Sequence, residues 1–116
     1  MKTILVAEDN DSNYVLMTYI LKRQYNVVRA HNGEEAVAMV GKGGIDMVMM
    51  DLKMPVCDGL TATRRIKADH PTLPVVMLTA NAFESDRESA MQAGCDDFMA
   101  KPVNSDRCLK LIEKYI

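Results

Sequence analysis

A chain of 116 residues has the length of one domain, 1 to 116, and can bury roughly two-thirds of its unfolded surface, so it can fold alone. Apolar residues at 48% and charged ones at 26% are ordinary for a globular protein and argue against disorder. A net charge of −2 gives no electrostatic reason to expect direct binding to nucleic acid or to an anionic membrane.

Met1-Lys2-Thr3 runs straight into Ile4-Leu5-Val6-Ala7, so a first strand is expected over 3 to 7 with no room before it for a secretory leader. Glu8 and Asp9 follow, and Asp11 or Ser12 is placed to cap a first helix whose Val15, Leu16, Tyr19 and Ile20 share one face. A second strand over 27 to 31 ends in Ala30-His31. Asn32-Gly33 opens a second helix with Ala36, Val37 and Val40 on one side, and Gly41 with Gly43-Gly44 closes it. The third strand, 45 to 51, is apolar through Val48-Met49-Met50 and then delivers Asp51. A third helix begins at Gly59 and ends at His70-Pro71, because the residue before proline is pushed out of the α region. A fourth strand over 75 to 79 ends in Thr79. Ala93-Gly94 ends a fourth helix, a fifth strand over 97 to 101 ends in Lys101, and Asn104 or Ser105 starts a last helix carrying Cys108, Leu109 and Ile112.

Strands separated by helices of this size imply right-handed crossovers and an α/β domain, a doubly wound parallel sheet covered on both faces. Such folds bind ligands beyond the carboxyl ends of the strands. Four of the five strand ends carry a functional group there: Glu8 and Asp9, Asp51, Thr79, and Lys101. Taken singly, each has an ordinary reading as a cap, a turn hydroxyl or a solvated lysine. Capping does not require three acids, a hydroxyl and an ammonium at corresponding ends of different strands. Two like charges ~5 Å apart at an effective dielectric of ~20 repel by roughly 3 kcal/mol, so three clustered carboxylates call for more than Lys101. A divalent cation meets that need, and an all-oxygen donor set selects a hard one, Mg²⁺ or Mn²⁺. Metal, hydroxyl and ammonium together hold a phosphoryl group, and a carboxylate can be the nucleophile that accepts it.

The motifs VAEDN at 6 to 10, MMDLKMPVCDGL at 49 to 60, MLTANAF at 77 to 83 and AGCDDFMAKPV at 93 to 103 resemble the receiver (response regulator) domain of two-component signalling. Those of hybrid sensor histidine kinases are the most similar. The resemblance implies a flavodoxin-like fold with strand order 2-1-3-4-5. It also implies a Mg²⁺-dependent phosphorelay function in which Asp51 takes a phosphoryl group from a phosphohistidine on a histidine kinase or histidine phosphotransfer domain. Asp9 and Asp51 would bind the metal directly, Glu8 through water and Lys53 through its carbonyl. Thr79 and Lys101 would hold the phosphoryl oxygens, Phe98 would switch rotamer with Thr79, and Pro102 would follow a cis peptide bond. The side chains of Lys53 and Asn81 would tune phosphoryl lifetime. The face of the fourth helix, fifth strand and fifth helix would bind partners, including a second copy in a homodimer.

The remaining residues read as structural. Met47, Met49, Met50, Met77 and Met99 follow the strands and belong to the core. Cys57, Cys95 and Cys108 lack C-x-x-C spacing, which argues against disulfides or zinc and fits a reducing cytoplasm, including the cytoplasmic part of a membrane-anchored sensor kinase. Cys57 is read as a small apolar replacement, and His31 and His70 as surface residues. Lys22-Arg23 and Arg64-Arg65 are too sparse for a nucleic-acid footprint. A haloacid-dehalogenase-type phosphatase would need a second acid where Lys53 stands. A non-phosphorylated binding module would not need the full strand-end set, and neither G-x-G-x-x-G nor G-x-x-x-x-G-K is present.

Overall fold

The computed structural model describes residues 1–54, 56–79, 84–101 and 103–116. Asn81 and Pro102 lie outside the described residues. Among the described residues, β1 (Thr3–Ala7), α1 (Asp11–Leu21), β2 (Asn26–Ala30), α2 (Gly33–Gly41), β3 (Met47–Asp51), α3 (Gly59–Asp69), β4 (Val75–Thr79), α4 (Glu84–Gln92), β5 (Asp97–Ala100) and α5 (Ser105–Tyr115) alternate along the chain. The strands form one parallel sheet in the order β2-β1-β3-β4-β5. β3 and β4 are buried from end to end, which is why they read as unbroken apolar runs, whereas the edge strands β2 and β5 are mostly half-buried.

Alternate side chains enter two cores. Leu5, Val48, Met50, Val75 and Met77 face Ala36 and Val40 of α2, Ala62 and Ile66 of α3, and Ala90 of α4. Ile4, Val6, Met47, Met49, Val76 and Leu78 face Met17, Ile20 and Leu21 of α1, and Cys108 and Ile112 of α5. The strand methionines fill both cores, as their unbranched side chains suit irregular gaps. Met99 is only half-buried.

Four helices open on a side chain that accepts from an amide three residues on: Asn10 from Asn13, Asn32 from Glu35, Asp58 from Thr61 and Asn104 from Arg107. The first of these differs from expectation. Asn10 is the extended cap, and Asp11 is already helical. The face expected for α1 also differs, because Val15, Leu16 and Tyr19 are exposed while Met17, Ile20 and Leu21 are buried. Tyr14 to Met17 is apolar at four consecutive positions, a pattern that leaves the rotation of the helix undetermined. β2 starts one residue earlier than expected because the Asn26 amide pairs with the Lys2 carbonyl. It ends at Ala30 because the His31 amide turns to the Glu35 carboxylate. β3 starts at Met47, two residues later than expected, and Asp46 just before it pairs with Thr3 through both its backbone amide and its carboxylate.

Candidate functional site

The pairing of β1 with β3 sets Ile4 opposite Met47 and Ala7 opposite Met50, so one further step brings Glu8 beside Asp51. Glu8 is still held in strand-like pairing by its amide, which donates to the Ala30 carbonyl at 3.0 Å. Across the sheet, the Lys101 amide donates to the Thr79 carbonyl at 2.7 Å and extends the β4–β5 ladder by one residue. The alternation that sends Met47, Met49 and Met99 toward α1 and α5 carries Asp51 and Lys101 to that side as well, together with Glu8.

The Lys101 ammonium lies 3.0 Å from Glu8 Oε1 and 3.2 Å from Asp51 Oδ1. Glu8 is 1% exposed and Asp51 7%, so neither charge is well hydrated. Burial, followed by the Glu8 carboxylate, pushes the Asp51 carboxyl up to about 7, against the pull of Lys101. Burial also works against a charge on Glu8, but hydrogen bonds from Asp51 and Lys101 outweigh it and hold that carboxyl below its usual value. Lys101 loses hydration too, yet the two carboxylates hold its pKa above the ordinary lysine value. One proton and one ammonium thus stabilise a buried pair of acids.

Asp9 is exposed and completes a cluster in which one oxygen each of Glu8, Asp9 and Asp51 lies within 4.8 Å of the others. Glu8 Oε2 is buried without a hydrogen-bond partner among the described residues. An orphaned carboxylate oxygen within an all-oxygen donor set suits a hard divalent cation or its bound water. An adjoining cleft of about 250 Å³ leads from Glu8 and Lys101 past Asn13 to Leu16, Met17 and Val103.

Lys53 stands two residues beyond Asp51 with its side chain exposed. Thr79, at the end of β4, pairs with Ala100 and is buried. Phe98 pairs with Met77 and packs against the core on the α2–α4 side, one pleat below Thr79 on the same face. The Arg87 guanidinium lies 5.9 Å from the centre of its ring. His31 is exposed and bonded to Glu35, His70 is half-buried, and Cys57 is buried, its carbonyl accepting from the Gly33 amide.

Two contributors to the site, Gly59 and Arg29, and one strained residue in the loop beyond Asp51, Val56, escape the sequence reading. Gly59 has no room for a Cβ, which would overlap the Asp51 carbonyl, so the start of α3 rests directly on the end of β3. Val56, 83% exposed, has φ +70°, a left-handed conformation costly for a β-branched residue. Arg29, near the end of β2, donates from Nε to the Glu8 carbonyl at 3.1 Å. The sequence signal for Arg29 is a cation near the end of an otherwise apolar strand, and the expected strand order does not say which atoms of the neighbouring turn it reaches.

Residues 4–113 match the family model described as the response regulator receiver domain. Two-component system protein A of Emericella nidulans is 37% identical over 98% of this chain, which spans 17% of that relative's length. The polar-differentiation response regulator DivK of Brucella anthropi is 30% identical over 99% of this chain and 96% of its own. Among solved structures, the receiver domain of sensor histidine kinase PA1611 from Pseudomonas aeruginosa PAO1, with a magnesium ion coordinated in its active site cleft, superposes with a TM-score of 0.92 at 34% identity, covering 98% of this chain and 96% of that one. The receiver domain of the Saccharomyces cerevisiae response regulator Ssk1, in complex with the histidine phosphotransfer signalling protein Ypd1, has a TM-score of 0.92 at 29% identity and covers 98% of this chain and 88% of that chain.

Proposed function

Because the chain belongs to the response regulator receiver domain family of two-component signalling, we propose that Asp51 is its phosphoryl acceptor and that the surrounding strand ends are the machinery of transfer. A carboxylate oxygen of Asp51 forms the new P–O bond as the P–N bond of a phosphohistidine breaks, and the departing imidazole nitrogen takes up a proton. The observation that carries this reading is the gathering of the Glu8, Asp9 and Asp51 carboxylates with the Lys101 ammonium at one sheet edge.

Asp51 must be ionised to attack, and its carboxyl, at about 7, is poised to lose its proton when further positive charge arrives. Asp9 and Asp51, with Glu8 through water and the Lys53 carbonyl, would hold magnesium, which supplies neutralisation of the phosphoryl oxygens when bound. The Lys101 ammonium pairs with one phosphoryl oxygen and the Thr79 hydroxyl donates to another. Drawing Thr79 toward the phosphoryl group gives the Phe98 ring room to move inward, which alters the surface of α4, β5 and α5. That face is the one we assign to a homodimer, supported by the half-buried edge strand β5 and the exposed Met91.

The transfer partner is a histidine kinase or a histidine phosphotransfer protein, a reading supported by the Ypd1 complex of a similar receiver. The chain promotes its own phosphorylation and does not turn over a substrate. No helix among the described residues is long and apolar enough to cross a membrane. We assign a cytoplasmic setting, supported by three cysteines that are all free thiols.

Incubation with acetyl phosphate and Mg²⁺ tests the assignment. Intact mass is expected to rise by one phosphoryl group in the wild type and not in Asp51→Asn. An unchanged wild-type mass, or steady hydrolysis of phosphate monoesters, overturns it.

A further inference from the structure

We propose that Arg29 is a positioning residue for the metal-binding turn, holding the β1–α1 connection that carries Glu8 and Asp9 in its working geometry. This rests on the reading of that turn as the magnesium site. Arg29 lies on β2 opposite Val6, on the side of the sheet that α1 covers. Its guanidinium spans the turn. Nε donates to the Glu8 carbonyl at 3.1 Å, Nη1 pairs with the Asp11 carboxylate at 2.9 Å, and the planar group lies 4.6 Å from the centre of the Tyr14 ring. The two polar contacts bracket Asp9 and Asn10 between them.

Several observations separate this from an ordinary surface ion pair. The Arg29 side chain is 17% exposed although Asp11 is 88% exposed, so the pair is anchored from the arginine side. Nη2 is buried without a partner among the described residues, a cost that the other contacts must offset. A planar fork can serve a carbonyl, a carboxylate and a ring face at once, whereas a lysine ammonium offers a single point charge. The Glu8 carbonyl and carboxylate belong to one residue, so fixing the peptide limits where the side chain can reach.

Charge and position pull in opposite directions, which makes the idea testable. A cation beside a metal site weakens metal binding by repulsion, whereas a clamp on the ligand turn strengthens it. Arg29→Lys keeps the charge and removes the fork. Tyr14→Leu leaves the charge of the site unchanged and removes the ring that supports the guanidinium. Calorimetric titration of the whole chain with MgCl₂ is expected to give about tenfold weaker binding for Arg29→Lys and several-fold weaker binding for Tyr14→Leu. The titrations are made where metal-free melting shows each variant fully folded. Wild-type affinity in both variants, or tighter binding in Arg29→Gln with none lost in Arg29→Lys, overturns the positioning role while leaving the magnesium site intact. A wild type that takes up no Mg²⁺ overturns both.

Discussion

Asp51 is costly while no cation accompanies it, and its titration measures that cost. Its carboxyl lies near 3.8 in an unfolded chain and at about 7 in the folded one. Below about 4 both forms hold the proton and above about 7 neither does. Between those limits only the folded form holds it, so the stabilisation is complete at low pH and is lost as pH rises. Glu8 shifts the other way, but from 4.5 downward, which leaves the window from pH 5 to 8 to Asp51. Melting of the metal-free wild type is therefore expected to fall across that window, while Asp51→Asn stays level and is the more stable by several degrees at pH 8. Magnesium should restore the wild type and leave the variant nearly unmoved. Val56 offers a second test at this scale. Its positive φ costs roughly 1–2 kcal/mol, and glycine removes that strain while adding back about 0.5–1 kcal/mol of chain entropy. Val56→Gly is expected to raise the melting temperature by a few degrees, read by differential scanning calorimetry.

Elements differ in how plainly the sequence announced them, and the reasons are physical. Thr3–Ala7 and Val75–Thr79 fall where expected because central parallel strands are apolar on both faces, the first being flanked by Lys2 and Glu8 and the second starting after Pro74 and ending on Thr79. The rotation of α1 was not legible, since a helix that is apolar nearly all round gives no phase. Glu8, Asp51 and Lys101 were legible as strand ends because parallel strands deliver their last residues to one edge. Arg29 was not, since strand order sets β2 beside β1 but does not say that its guanidinium reaches the Glu8 carbonyl and the Asp11 carboxylate. The contact between α3 and β3 is likewise a matter of packing. Gly59→Ala must displace the Asp51 carbonyl by overlap, at an expected cost of about 1–3 kcal/mol in urea denaturation. Phosphorylation by acetyl phosphate should slow in the protein that remains folded, because the displaced backbone is that of the acceptor itself.

On the scale of the whole molecule, the two edges of the sheet do different work. The carboxyl edge gathers like charges, leaves Glu8 Oε2 unpartnered among the described residues and strains Val56, all at the expense of stability. The opposite edge is closely satisfied. The Asp96 carboxylate there accepts from the Val75 amide at 2.9 Å and from Lys67 Nζ at 2.9 Å, while Lys67 also donates to the Leu73 carbonyl. The Tyr115 hydroxyl contacts the Asp96 carbonyl and the Asp97 carboxylate at 3.1 Å each, which ties the end of α5 to the starts of β4 and β5. If stability and phosphoryl chemistry are divided this way, a lesion at the stable edge should harm one and spare the other. Asp96→Ala removes a charged acceptor shared by α3 and β4, and an expected loss of about 1–2 kcal/mol follows from two such hydrogen bonds that are partly solvated. Magnesium affinity and the rate of phosphorylation by acetyl phosphate, measured well below the variant's melting temperature, should match the wild type. A variant that melts lower and also phosphorylates more slowly would mean that the two edges are coupled through β4 and β5, the strands that carry Thr79 and lead into Lys101.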